Sequence, residues 1–173
     1  IFTRFLKGHI AVASYRLKSN TCGAKIDHVA RAPLKEINLD YAHGTGHGVG
    51  YFLNVHEGPQ GFSQATIGNA STEIIPGMLT TNEPGFYLEG KYGIRIENVL
   101  LCELDGVIND IEYYKFRTMT YCPIDKELIV TNILNIEERN WLNNYHEMVF
   151  EYLMPQASKD LIPWLKDKTS PLK

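Results

Sequence analysis

Between Met78 and Lys115 the chain reads as consecutive strand-like runs, MLTTN, GFYL, GIRIENVLLCEL and DIEYYKF, punctuated by Gly and Asp. The runs are rich in β-branched and aromatic residues, and the breaks between them are as short as hairpins require. Such a series permits little besides an antiparallel meander. Helical text surrounds it. Within residues 2–17, Phe2, Leu6, Ile10 and Val12 recur mostly at three- and four-residue steps, as on an amphipathic helix. A polar break at 20–23 precedes a second helix over 26–37, with Asp27 placed to cap it and Pro33 interrupting it. Residues 51–56 read as a short β-like run, 58–76 as a long loop rich in Gly, Pro, Ser and Asn, and 128–134 as a further strand. Asn135 with Glu138 has the spacing of a capping box. Behind it Trp141, Tyr145, Met148, Val149 and Tyr152 keep helical period, Pro155 stops the run, and 159–166 can form one more short helix. With neither repeat nor linker, a single α+β unit is expected.

Composition closes off several functions. The 173 residues carry a net charge of −3 with acids and bases interspersed, so a nucleic-acid surface of clustered Lys and Arg is excluded. No apolar run is long enough to span a membrane, and no charged-then-apolar stretch reads as a signal peptide. Cys22, Cys102 and Cys122 stand far apart and odd in number, which fits neither a thiolate metal site nor a disulfide framework and suits the cytoplasm. The chain opens at Ile1 inside helical text, without Met or cap, as if cut from something longer.

Four clusters set ionisable groups beside glycine: His43-Gly-Thr-Gly-His47, Asn54-Val-His56-Glu57-Gly58-Pro59, Asn82-Glu83-Pro84-Gly85 and Arg95-Ile-Glu97-Asn98. Two histidines four apart would share a helix face, but the glycines between them favour a loop or strand edge that lets backbone come close to a metal or substrate. The glycine spacing matches neither a dinucleotide fingerprint nor a P-loop. His9, His28 and His146 read as surface or satisfied core residues, whereas His43, His47 and His56 cluster as a site. Glu83 should be presented at a strand end. Glu97, flanked by Ile94, Ile96, Val99 and Leu100, reads as a charge on a buried strand, costly unless paired with Arg95 or bound to metal. One imidazole with two carboxylates suits Mn²⁺, Co²⁺, Fe²⁺ or Zn²⁺ at an oxygen-rich hydrolytic centre, yet falls short of the ligands two metals need.

The segments LKGHIAVA (6–13), LDYAHGTGHGVGYFLNVHEGP (39–59), TNEPGFY (81–87), YGIRIENV (92–99) and WLNNYH (141–146) together resemble the cytosolic, eukaryotic-type aminopeptidase P, or X-prolyl aminopeptidase. The resemblance implies an α+β fold, the C-terminal portion of a pita-bread architecture, with a mostly antiparallel curved sheet, flanking helices and C-terminal helices. Residues 1–173 would then be the C-terminal part of the catalytic domain. It also implies hydrolysis of an N-terminal X-Pro bond at two divalent ions, usually Mn²⁺, in a homodimer. By that resemblance His47 is a metal ligand, Glu83 a ligand and the general base, and Glu97 a carboxylate bridging both metals. His43 and His56 orient substrate and move protons, and Arg95 lies near the substrate and holds the surrounding shell together. The family's two aspartate ligands lie upstream of residue 1, so an upstream segment of the same protein is the expected partner and the piece alone is expected to be inactive. A catalytically dead pita-bread module that binds peptides is the alternative, and prolidase or methionine aminopeptidase would keep the fold with another substrate.

Overall fold

The computed structural model describes residues 1–52, 54–65 and 67–172. These fall into two compact units, Arg4–Met119 and Thr120–Lys173 with Ile1–Thr3, where the sequence suggests one.

In the first unit, helix α1 (Phe2–Ala13) ends sooner than its periodicity implies, because Leu17–Lys18 turns off as strand β1. Helix α2 (Gly23–Lys35) starts earlier than expected and its N-cap is Cys22, so Asp27 is not a cap but lies inside the helix, fully buried. The two helices approach closely: a Cβ at Gly8 would lie 2.2 Å from the Ala30 carbonyl oxygen. Phe5, Leu6, Ile10, Val12, Ile26, Ala30 and Leu34 are removed from water, and each large apolar side chain contributes about 1.5–3 kcal/mol.

The antiparallel strands are present, but the run GIRIENVLLCEL divides into two strands around Ile96 and Glu97. Strands β4 (Leu79–Asn82), β7 (Asn98–Ile108) and β8 (Ile111–Thr118) form a four-stranded antiparallel sheet with β1, in the order β1-β8-β7-β4. The short pair β2 (Gly46–His47) and β3 (Gly61–Phe62), and the hairpin β5 (Gly85–Leu88) with β6 (Tyr92–Arg95), are assigned as separate ladders. Strand β3 and a 3₁₀ turn at Gly68–Ser71 lie within the stretch read as one loop. The β-like run expected at 51–56 is a series of bends over its described residues; Leu53 lies outside them.

In the second unit, helix α3 (Ile136–Leu153) begins at the expected capping box. The Asn135 side chain accepts from the Glu138 amide at 2.8 Å, and Glu138 accepts from the Asn135 amide at 2.9 Å. Leu142, Tyr145, His146 and Val149 form its buried face. The Tyr145 hydroxyl donates to the Cys122 carbonyl at 2.7 Å, and the Ile124 amide donates to His146 Nε2 at 3.1 Å. The strand expected at 128–134 is instead a 3₁₀ turn at Thr131–Ile133, with Leu128 and Val130 exposed. Helix α4 (Ile162–Lys168) closes the unit, its carboxyl end satisfied by Lys126 Nζ, which donates to Asp167 O at 3.0 Å and Ser170 O at 2.6 Å.

Candidate metal centre

The site is built where β2 runs beside β4. Gly48 bridges Thr80, the Val49 amide donates to Leu79 O, and the Glu83 amide donates to Thr45 O at 2.7 Å. Glycine is required for so close an approach, since a Cβ at Gly46 would stand 1.8 Å from the Thr81 carbonyl oxygen. The HGTGH segment is thus a strand edge rather than a helix, as its glycines suggest. Its second histidine is thereby carried to the end of β4, where Glu83 follows Asn82 into the Pro84 turn.

His47 and Glu83 meet there. His47 Nε2 lies 3.2 Å from Glu83 Oε1. His47 Nδ1 lies 2.8 Å from the Gly48 carbonyl, an acceptor only, so in the neutral ring Nδ1 is the donor and Nε2 is the nitrogen whose lone pair faces the carboxylate oxygen. Two such atoms repel unless a proton or a metal cation lies between or beside them. Adjacent ligands on a metal with bonds of about 2.1 Å are themselves about 3 Å apart, so this pair fits metal binding. Glu83, 8 % exposed, is held by the Thr81 hydroxyl on Oε1 at 3.1 Å and by Arg95 Nη1 on Oε2 at 3.0 Å.

Glu97 is placed differently from expectation. It falls between β6 and β7 and is exposed, while its neighbours Ile96 and Asn98 are buried. The reading of a charge on a buried strand is therefore corrected, and so is its pairing with Arg95, which binds Glu83 and the Tyr87 hydroxyl instead. Asn82 pairs with Asn98 and Gly85 with Arg95, and the Ile96 amide reaches Pro84 O at 3.4 Å. The two ladders thus share one register, and Glu83 stands opposite Glu97. Facing carboxylates destabilise a ribbon unless a cation offsets them. Among the described residues, however, no three His, Cys, Asp or Glu side chains gather closely enough to hold one ion. The structure unites two of the expected ligands and sets the third across the ribbon.

His56 packs its ring 4.2 Å from that of His47, while being exposed. His43 sits between Tyr41 and Tyr87, at 4.9 and 5.8 Å between ring centres. Its Nδ1 lies 2.7 Å from Gly44 O and its Nε2 3.2 Å from Gly85 O.

Sequence reasoning missed two supports. His9, buried in α1, binds both motif asparagines: Asn82 donates to its carbonyl at 2.9 Å, and the Asn98 amide group lies 3.1 Å from its Nε2. The residues next to Glu83 and Glu97 are thus anchored to one helix. Burial drives the His9 imidazole down to about 4, so it stays neutral. The other support is the Asp27–Arg31 pair, whose i, i+4 spacing on a helix was the available signal. Asp27 Oδ1 accepts from the Thr45 hydroxyl at 2.6 Å, which ties α2 to the histidine segment.

Comparison with known proteins identifies the family. A model of metallopeptidase family M24 matches residues 1–103, and one of the C-terminal region of peptidase M24 matches residues 112–172. The chain is 44% identical to "Probable Xaa-Pro aminopeptidase P" of Coprinopsis cinerea and 42% identical to "Xaa-Pro aminopeptidase 1" of Dictyostelium discoideum, each match covering 99% of the chain. It spans only 28% of either relative's length. Among solved structures, X-prolyl aminopeptidase from Caenorhabditis elegans, described as a cytosolic enzyme with a di-nuclear active site, superposes with a TM-score of 0.89 at 38% identity, over 99% of this chain and 28% of that one. An Xaa-Pro dipeptidase from Bacillus anthracis gives 0.54 at 28% identity over 71% of this chain and 30% of its own. The chain belongs to metallopeptidase family M24, and its α+β fold is the C-terminal portion of the pita-bread architecture.

Proposed function

We propose that this chain is the C-terminal part of the catalytic domain of an Xaa-Pro aminopeptidase and contributes His47, Glu83 and Glu97 to a centre of two divalent ions, most simply Mn²⁺. The observation that carries the reading is the 3.2 Å approach of His47 Nε2 to Glu83 Oε1, with Nδ1 committed to a backbone carbonyl. An upstream segment of the same protein would supply the remaining carboxylates and bring Glu97 into use, and the isolated piece would be inactive. The whole protein would be a homodimer, and it would act in the cytoplasm, the nematode relative being described as a cytosolic enzyme.

When bound, the metals supply Lewis-acid polarisation and a water acidic enough to attack near neutral pH. This chain's own residues do the rest. Glu83, fixed by Thr81 and Arg95, is placed to take the proton of the attacking water. The Gly48 carbonyl, 2.8 Å from His47 Nδ1, orients the ring so that Nε2 would be the ligating nitrogen. His43, between two tyrosine rings, and His56, packed at a tilt against His47, would orient the peptide and pass a proton to the leaving proline nitrogen. Arg95 adds a fixed positive charge beside the reacting carboxylate.

The test is an assay of the whole protein with Mn²⁺ on Arg-Pro-Pro, Gly-Pro and Met-Ala peptides. Release of Arg from Arg-Pro-Pro, lost in Glu83→Gln and His47→Ala, is expected. Cleavage of the dipeptide Gly-Pro alone would reassign the protein to prolidase, and Met-Ala alone to methionine aminopeptidase.

A further inference from the structure

Beside the histidine segment lies a buried ionic knot that contributes no atom to the His47–Glu83 pair. At its centre is Arg31, 2 % exposed. A guanidinium has five N–H donors, and here all of them are used. Nε donates to Asp27 Oδ2 at 2.7 Å, and Nη2 donates to Asp27 Oδ1 at 3.1 Å and to the His43 carbonyl at 2.6 Å. Nη1 donates to Asp40 Oδ1 and to the Tyr41 carbonyl, both at 2.6 Å. The Tyr41 ring lies against the guanidinium at 3.8 Å.

Neutralising Asp27 would take only the first two bonds. The other three grip the backbone at residues 41 and 43 and the side chain of Asp40, which also accepts from the Tyr41 amide at 2.8 Å. The segment leading into His43 is therefore held from the α2 side at alternate residues. Through Asp27 and Thr45 the same knot reaches the carbonyl that accepts the Glu83 amide. Arg31, Tyr41, His43, Gly44, Ser63 and Gln64 line a cavity of about 270 Å³, so the knot also shapes a space open to a ligand.

We propose that Arg31 is a positioning residue for Xaa-Pro cleavage, its saturated guanidinium fixing the backbone that sets the His43 ring. This rests on the peptidase reading above. A lysine keeps the charge but has three rotatable donors instead of a planar fork, so it cannot hold Asp27, Asp40 and two carbonyls together.

The experiment measures kcat and KM on Arg-Pro-Pro with the whole Mn²⁺-loaded protein, as wild type, Arg31→Lys, Asp40→Asn, His43→Ala and both combinations with His43→Ala. Bound metal and melting temperature are recorded alongside. Arg31→Lys is expected to keep its metal and to lose about 10- to 100-fold in kcat/KM, the range seen when a supporting residue is removed. In the His43→Ala background the same change should cost less than about threefold, because the interaction it served is gone. The proposal is overturned if Arg31→Lys stays within about threefold of wild type, or if its loss is as large without His43 as with it. Should Arg31→Lys fail to fold, Asp40→Asn decides by the same comparison. It keeps an acceptor oxygen on the rim of the knot and should lose roughly 3- to 10-fold, only when His43 is present. A wild type that cuts no Xaa-Pro peptide rejects the activity and the positioning role with it, whereas an active wild type with an indifferent Arg31→Lys rejects the positioning role alone.

Discussion

Thr81→Val isolates the bond pair that joins the two expected ligands. The Thr81 side chain is buried, its oxygen accepts from the His47 amide at 2.9 Å, and it donates to Glu83 Oε1 at 3.1 Å. Valine has nearly the same shape and neither function. Orphaning the His47 amide costs about 1–3 kcal/mol, and losing a bond to an ionised carboxylate about 1.5–3 kcal/mol. The losses share a neighbourhood and will not add fully, so about 2–4 kcal/mol is expected. The assay is urea unfolding at pH 7, with an unchanged slope as the check that the denatured state is the same. Thr81→Ser serves as control, since it keeps the hydroxyl and gives up one methyl, about 0.8 kcal/mol. The reasoning fails if valine lies within about 0.5 kcal/mol of wild type, or if serine costs as much as valine.

Other expectations follow from the same coordinates. Gly46→Ala puts a Cβ 1.8 Å from the Thr81 carbonyl, so β2 must part from β4; a loss of about 2 kcal/mol or more, with weakened metal retention on dialysis, is expected. The His9 and His146 imidazoles are both held down to about 4, by burial first and for His146 also by Lys126. Because the unfolded rings take up protons below 6.5 while the folded ones do not until about 4, this stability is whole above pH 6.5 and drains away as pH falls toward 4. Urea unfolding at pH 4.5 should therefore be about 2–3 kcal/mol weaker per histidine than at pH 7, and an unchanged midpoint would refute this. Asn135→Ala removes the capping box of α3 and should lower stability by about 1 kcal/mol by thermal unfolding.

Much of this was legible in the sequence. The antiparallel strands and the capping box follow from hairpin spacing and cap chemistry, whereas the meeting of His47 with Glu83 is what the resemblance to aminopeptidase P implies. The apolar neighbours of Glu97 suggest burial, but Glu97 itself is exposed. In an extended segment Ile96 and Asn98 point opposite to it, so their burial implies its exposure. Leu128 and Val130 alternate like a strand, but the Leu128 carbonyl accepts from the Thr3 hydroxyl and the Val130 amide donates to it, and a 3₁₀ turn follows at Thr131–Ile133. Asp27 resembles a cap only while the helix is taken to start near residue 26, three residues beyond its true start at Gly23; the spacing from Arg31 is the better clue.

The decisive measurement is anomalous diffraction at the manganese edge from crystals of the whole protein grown with Mn²⁺. Two peaks are expected, one within about 2.2 Å of His47 Nε2, with carboxylate oxygens of Glu83 and Glu97 on the metals at similar distances. Peaks lying away from these three side chains, or Glu97 left in solvent with the metals bound, would contradict the assignment.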